Sequence, residues 1–226
     1  VVRFFRDDDI LHVKGQHNPF EDFQDINLEL ILADLNTLSK YLERLKKSKM
    51  SPKEKDVLAT ELENLIEHLS NDNFASSFHF SDDLLSLNDL KLLTKKPMFI
   101  IANINDKTDE KEVLEFQKKI SDNIHLVTID VKLEQDIADL DPNDQADFMD
   151  EMGIKESALT RIIKKGYELL GLKTFFTSGP KETRAWAAKK DFNARECSGI
   201  IHTDIKKGFI RAETVSYADY IDNNGE

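Results

Sequence analysis

The stretch that most limits the fold is Lys96-Pro97-Met98-Phe99-Ile100-Ile101-Ala102-Asn103-Ile104-Asn105-Asp106. Five apolar residues, Met98 to Ala102, follow a proline without alternation, as expected of a strand buried on both faces of a parallel sheet. A polar cluster, Asn103 to Asp106, comes directly after. It falls at the strand's carboxyl end, where open α/β sheets take their ligands. A carboxamide followed three residues later by a carboxylate offers a donor, acceptors and a negative charge to one flat heterocycle, the set needed to read a purine edge. The same residues are ordinary turn formers, so this stretch alone leaves both readings open.

Strand and helix signals alternate around it. Val1 to Phe5 is β-branched and aromatic and predicts a strand. Asp109 to Ile120 predicts an amphipathic helix through Val113, Leu114 and Phe116, and Ile124 to Val131 a further strand. Leu133 to Leu140 begins another helix, Asp141-Pro142-Asn143-Asp144 reads as a turn or cap, and Ile154 to Leu170 is helical up to Gly171. Strand, helix, strand, helix is the rhythm of a parallel sheet.

Between the first strand and Lys96 the pattern turns helical from Asp25. Ile31, Leu35, Leu38, Leu42 and Leu45 recur at heptad spacing. Ser51-Pro52-Lys53-Glu54 supplies an N-cap, a proline for the first helical position and a capping-box glutamate, and Leu58, Leu62, Leu65 and Leu69 make a second seam. Two helices with one seam each predict an antiparallel helical hairpin; two helices laid on a larger core would show the same periodicity. Asn71 to Thr94 is a Ser/Asp-rich connector with Phe74, Phe78 and Phe80 as anchors.

From Leu172 the texture changes. Strand-like Thr174–Thr177 and Thr183–Ala187 flank a turn, Ser178–Lys181; a helix starts near Ala194–Cys197, and Gly208–Val215 alternates like a half-buried strand. These predict a small α+β module. Charge shifts with it: residues 171–211 carry nine Lys/Arg against four Asp/Glu, whereas residues 1–170 carry 22 against 35. The net charge of −12 argues against a general nucleic-acid binder, but a basic module on an acidic body is a footprint expected for RNA contact. A solvated surface would look alike.

At 226 residues, 40% hydrophobic and 33% charged, the chain belongs to the soluble globular class, with room for one large domain or two to three small ones. No apolar run approaches the roughly 18 residues needed to span a bilayer, and no secretory signal opens the sequence. It begins at Val1 without a methionine and reads as a piece of something longer. One cysteine, Cys197, excludes an internal disulfide and fits a reducing compartment. No Gly-x-x-x-x-Gly-Lys-Ser/Thr, Gly-x-Ser-x-Gly, His-Glu-x-x-His or Cys-x-x-Cys occurs. His12 and His17 have no neighbours at metal-ligand spacing, and Cys197, His202 and Asp204 carry no nucleophile signature. These residues offer no reaction by themselves.

Thr174-Phe175-Phe176-Thr177-Ser178-Gly179-Pro180-Lys181-Glu182-Thr183-Arg184-Ala185-Trp186, then Gly199-Ile200-Ile201-His202-Thr203-Asp204, then Lys207-Gly208-Phe209-Ile210-Arg211-Ala212-Glu213 closely resemble the YchF/Obg-like ATPase family. Val1 to Phe5, Asp7 to Ile10, His12-Val13, Leu30 to Leu35, Lys96-Pro97 and Ala102 to Asn105 agree in order, so the likeness covers essentially the whole chain. It implies a fold: an α/β P-loop NTPase (G-domain) parallel sheet, interrupted by an antiparallel α-helical hairpin insertion, then an α+β ubiquitin-like (β-grasp) TGS domain. The implied boundaries are residues 1–29 for the G-domain after its switch region, 30–95 for the coiled-coil insertion and connector, 96–170 for the rest of the G-domain, and 171–226 for a truncated TGS domain. The P-loop, its Mg²⁺-binding Ser/Thr and the Asp-x-x-Gly strand are then expected before Val1, and the last TGS strands after Glu226.

The resemblance implies ATP hydrolysis, with GTP as the alternative nucleotide and Mg²⁺ held outside this chain. It also implies a cytoplasmic monomer that associates with ribosomes, through rRNA or ribosomal proteins, by the TGS domain and the helical insertion. Asn103 matches the family's base-reading asparagine, facing the purine N6/N7 edge. Ile104 replaces the lysine of the GTPase Asn-Lys-x-Asp motif, and its backbone N–H and C=O are expected to pair with adenine. Phe5 matches an aromatic that covers the base, although a core phenylalanine is the plainer reading. Asp106 departs from the family's glutamate, and Thr128 to Lys132 stands where small residues are expected. Lys181, Arg184, Lys189, Lys190, Lys206 and Lys207 are the candidate RNA or ribosome contacts. Two classes stay open: a nucleotide hydrolase and a non-catalytic ribosome- or RNA-binding adaptor.

Overall fold

The computed structural model describes all residues except 13, 16, 80–89, 122 and 226, and the side chain at 143; Phe80 and Val13 therefore lie outside the described residues. The chain divides into two compact units, Val1–Ile162 and Ile163–Glu226.

In the first unit β1 (Val2–Arg3) is followed by two long helices, α1 (Pro19–Lys47) and α2 (Pro52–Ser70), and a 3₁₀ turn at Ala75–Ser77. Then come β2 (Phe99–Asn103), α3 (Glu110–Lys119), β3 (His125–Ile129), α4 (Val131–Ala138), α5 (Pro142–Glu151) and the start of α6 (Ala158–Leu169). The three strands form one parallel sheet in the order β1-β2-β3. β1 is shorter than the expected Val1–Phe5, because the N–H groups of Phe4 and Phe5 both donate to the carbonyl of Asn103, at 2.8 and 2.9 Å. Two successive donors on one acceptor cannot continue a parallel ladder.

β2 is not buried on both faces. Ile100 and Ala102 are buried with Val2, Phe4, Phe23 and Phe116, while Phe99, Ile101 and Asn103 stay half-exposed. The helices of this chain cover one face of the strand, and its continuous apolar run gave no sign of that asymmetry. Phe116 of α3 sits at the centre, edge-on to Phe4 (5.1 Å), Phe23 (5.7 Å) and Phe20 (6.2 Å). Such edge-to-face pairs add about 0.5–1.5 kcal/mol each beyond their burial.

α1 begins at Pro19, six residues before Asp25, because the Asn18 side chain caps it by accepting the Glu21 N–H. Its first turns pack on the sheet through Phe20 and Phe23; further along, Ile31, Leu38 and Leu45 are buried against Leu58, Leu62, Leu65 and Leu69 of α2. The heptad reading is correct, and one unbroken helix serves two cores, crossing residues 29 and 30 without a break. Ser51 and Glu54 form the expected reciprocal cap, and the Ser51 hydroxyl, followed by its N–H, holds the Glu54 carboxyl below its ordinary value. Within this hairpin Asp34 is 1% exposed, and its carboxylate accepts the N–H of Leu93 and Thr94 and the Thr94 hydroxyl, at 2.7, 2.8 and 2.7 Å. That bracket ties the returning connector to α1. Residues 141–144 start a ten-residue helix, α5, rather than making only a turn, with Asp141 at the cap position and Pro142 in the first turn.

The unit boundary falls inside α6. The second unit holds an antiparallel hairpin, β4 (Leu172–Ser178) with β5 (Thr183–Lys189), and three short helices, α7 (Ala194–Ile201), α8 (Thr203–Lys207) and α9 (Tyr217–Asp222). Asn193 and Glu196 form a capping box at the start of α7. The strand expected over Gly208–Val215 is not formed. Its residues find no ladder partner among the described residues, leaving Ile210 91% and Val215 63% exposed; alternation supports a strand only where an edge receives it. Among the described residues no helix is long and apolar enough to cross a membrane, and no group of three His, Cys, Asp or Glu could hold a metal.

Candidate functional site

The carboxyl ends of the three parallel strands bring the sequence-predicted residues of the first unit together. Arg3 is in register with Asn103, and Asn103 with Ile129. Register partners in parallel strands project to the same face, so Arg3 and Asn103 share a face, opposite buried Val2 and Ala102; Phe5 lies just beyond β1, with its ring against the Arg3 side chain. Phe5 is half-buried, with the Arg3 guanidinium 4.3 Å from its ring centroid. Arg3 also donates to the carbonyls of Phe5, Asp7 and Ile10, at 3.2, 3.2 and 2.9 Å, which fixes the loop after β1. One side of the Phe5 ring is thus backed by a cation.

The Asn103 side-chain oxygen accepts the N–H of Val131 at 3.3 Å, while its amide nitrogen has no partner among the described residues. Ile104 requires a correction: its N–H donates to the carbonyl of Ile129 at 2.7 Å. It continues the sheet ladder past β2, so that N–H is not available to a base. The Ile104 carbonyl has no partner among the described residues. Asp106 is exposed in the turn. In the loop after β3, Asp130 caps α4 by accepting the Leu133 N–H at 3.0 Å.

Two residues outside the predicted set hold this corner. Asn105 accepts the N–H of Arg6 (3.4 Å) and of Lys107 (3.2 Å) and donates to the carbonyl of Arg6 (3.0 Å). The Thr108 hydroxyl accepts the Asn105 N–H at 2.9 Å and lies 3.2 Å from the Phe4 carbonyl and 3.1 Å from Asn105 Oδ1. An Asn followed by a small hydroxyl three residues on is a turn signature, the signal that could have found them. Arg6 also pairs with Glu112 of α3 at 3.0 Å, and His17 Nε2 stands 3.4 Å from the other Glu112 oxygen without hydrogen-bond geometry. Burial pushes the His17 pKa down, Glu112 opposes it, and Arg6 and Arg3 add to the depression. His12 pairs with Asp22 at 2.9 Å. Both histidines have single-carboxylate partners, as structural residues do.

In the second unit the six cations are exposed but spread out. Lys181 lies in the β4–β5 turn and Lys189 and Lys190 at the far end of β5, about 20 Å away along the strand. Arg184 stacks on Trp186 at 4.3 Å; Lys206 and Lys207 are on α8, with Lys207 3.6 Å from Asp204. Phe176 and Tyr217 stack at 5.8 Å on the sheet's other face. His202 caps α8 through Nδ1, and Cys197 lies against the Phe192 carbonyl, so these residues do not form a nucleophilic pair.

The fold is a mixed α/β arrangement with a parallel sheet and a helical hairpin, followed by a small α+β unit. A family model described as YchF-GTPase_C, Protein of unknown function (DUF933), matches residues 172–226. The Ribosome-binding ATPase YchF of Bacillus subtilis (strain 168) is 40% identical over 233 residues, covering 100% of this chain and 64% of the relative; that of Escherichia coli O157:H7 is 39% identical with the same coverage. The solved structure of the Schizosaccharomyces pombe YchF GTPase superposes with a TM-score of 0.79 at 27% identity, covering 100% of this chain and 63% of that one. The chain belongs to the YchF family, and it spans 64% of the length of these curated relatives.

Proposed function

We propose that this chain supplies the base-reading and partner-facing parts of a ribosome-associated nucleotide hydrolase of the P-loop class, acting on ATP in the cytoplasm as a monomer. The observation that carries this reading is the shared face of Arg3 and Asn103 at the carboxyl end of a parallel sheet, with the Phe5 ring held against Arg3. The Asn103 amide nitrogen is unpaired there among the described residues, and Arg3 backs the aromatic ring. A purine laid on the open side of Phe5 would accept from Asn103 at N7, and the Ile104 carbonyl would accept from the N6 amino group of adenine. Guanine carries an oxygen at that position and would set two acceptors against each other, a mismatch worth several kcal/mol in a buried site. Asp106 keeps GTP as the alternative, since its carboxylate can accept from guanine N1–H and N2. The residues present fit a base and not phosphates or Mg²⁺. Magnesium, when bound, would polarise the transferring phosphoryl group, and no residue of this chain is assigned to it.

The names of the relatives support ribosome association, and the exposed cations of the second unit, read as a TGS domain of β-grasp type, are its proposed contact together with the helical hairpin. The spread of those cations favours a broad phosphate surface over a single pocket. A non-catalytic adaptor would keep the basic surface without the base site. Photolabelling separates the two. Under ultraviolet light 2-azidoadenosine should label peptides containing Phe5 or residues 98–106, and excess adenosine should compete it away. Labelling confined to other peptides, or insensitive to adenosine, would leave only the adaptor.

A further inference from the structure

We infer that Asn105, acting with Thr108, is the positioning residue of the base site, setting the gap between the Phe5 ring and the Asn103 amide; this rests on the purine-reading role of those two residues. β1 and β2 stop being a regular ladder at Asn103, whose single carbonyl receives the N–H groups of both Phe4 and Phe5. Beyond Phe5 no backbone bond of the sheet continues the pairing of this segment with the β2 end. The Asn105 side chain takes over: it accepts from the Arg6 N–H and donates to the Arg6 carbonyl, reproducing with one carboxamide the two-way bond of a strand pair. Thr108 closes the bracket from the other side, because its hydroxyl accepts the Asn105 N–H and reaches the Phe4 carbonyl.

Phe5 is therefore held by backbone contacts on both flanks, at Phe4 and Arg6, and both flanks are tied to the loop that carries Asn103 and Ile104. Arg3 anchors the same segment independently, through the carbonyls of Phe5, Asp7 and Ile10. Loss of the Asn105 bracket should accordingly let Phe5 shift without unravelling β1. Neither Asn105 nor Thr108 needs to touch the base to do this. A ring displaced by even 1 Å loses stacking on a heterocycle whose edge Asn103 holds in place.

The test uses the 226-residue chain and adenosine, with binding followed by ligand-observed NMR at millimolar concentrations. Asn105→Ala and Thr108→Val should each weaken adenosine at least tenfold, about 1.4 kcal/mol. Thr108→Ser, which keeps the hydroxyl, should stay within twofold of wild type. Amide exchange at Phe5 and Arg6 should quicken in the first two variants but not in the third, a change that the stability of the hairpin core would not produce. Wild-type affinity retained by Thr108→Val and Asn105→Ala, with unchanged exchange at Arg6, would overturn the positioning role while leaving the purine reading intact. Failure of wild type to bind adenosine at all, with the Arg6 amide protected, would overturn the purine reading and the role built on it.

Discussion

Asn103 and Val131 meet across the ends of two neighbouring strands, the side-chain oxygen of the first accepting the N–H of the second at 3.3 Å. The contact joins the last residue of β2 to the first turn of α4. It engages one of the two lone pairs of the carboxamide oxygen, while the N–H₂ group is unpartnered among the described residues. In the proposed site that N–H₂ group meets the purine N7, common to adenine and guanine, so choice between the two purines falls on Ile104 and Asp106.

Replacing Ile104 by lysine restores an Asn-Lys-x-Asp arrangement with Asp106, so Ile104→Lys should raise the guanosine-to-adenosine affinity ratio at least tenfold. Parallel titrations of wild type and variant with both nucleosides measure it. A wild type already favouring guanosine tenfold, about 1.4 kcal/mol, would show that Asp106 outweighs the missing lysine.

Asp34 is the buried polar group on which the hairpin's connector depends. Asp34→Ala leaves the two buried donors of Thr94 and the part-buried N–H of Leu93 without their acceptor. At roughly 1–3 kcal/mol for each unsatisfied group, partly relieved by water, the loss should be about 3 kcal/mol or more. Thr94→Val removes one of the three and also the hydroxyl that accepts the buried Ala75 N–H at 3.1 Å, two bonds in all, and should cost less than Asp34→Ala. Urea unfolding followed by helical circular dichroism gives both values.

His17 makes stability depend on pH with a defined sign. Burial holds its pKa below the ordinary value of 6.5, so the unfolded chain binds the proton more readily than the folded one. The contribution is fully present above 6.5 and is lost as pH falls from there toward the lower folded-state value. Thermal midpoints measured from pH 7.5 to 5 should drop more steeply for wild type than for His17→Gln. Identical slopes would mean that the neighbouring Glu112 offsets the burial.

Much of this fold was legible in the sequence, for reasons that differ by element. The α2 seam, Leu58 to Leu69, and the Ser51 cap were readable because both obey strictly local rules. The start of α1 was not: Asn18 and Pro19 sit beyond a loop, and the residues that follow, Phe20 and Phe23, are spaced for a sheet core instead of the heptad seam. The place of Asn103 at the carboxyl end of a parallel strand was legible because the apolar run before it marks that strand. The loss of the Ile104 N–H to Ile129 could not be seen, because it depends on β3 lying in register beside β2. Gly208–Val215 failed for the opposite reason, since its alternation is real but no edge meets it.

Without a phosphate-binding loop in its sequence, the 226-residue chain should release no phosphate from ATP or GTP above a buffer blank. Base contacts alone omit most of the electrostatic stabilisation of phosphoryl transfer. Turnover by the purified chain would point to a site elsewhere.

Ribosome sedimentation tests the basic surface. Reversing Lys189, Lys190, Lys206 and Lys207 together should weaken binding, and removing each cation–phosphate pair should flatten the log–log salt dependence by about 0.7 to 0.9. Unchanged sedimentation would exclude these four residues from the ribosome-binding surface.

The most direct measurement follows the Asn103 side-chain amide itself in ¹⁵N-labelled protein during an adenosine titration. Its N–H₂ signals should move saturably, with the same dissociation constant as the ring protons of Phe5, and Asn103→Ala should weaken adenosine at least tenfold. If those signals stay still at saturating adenosine, or if Asn103→Ala binds as wild type does, the shelf at the end of the parallel sheet does not read a purine.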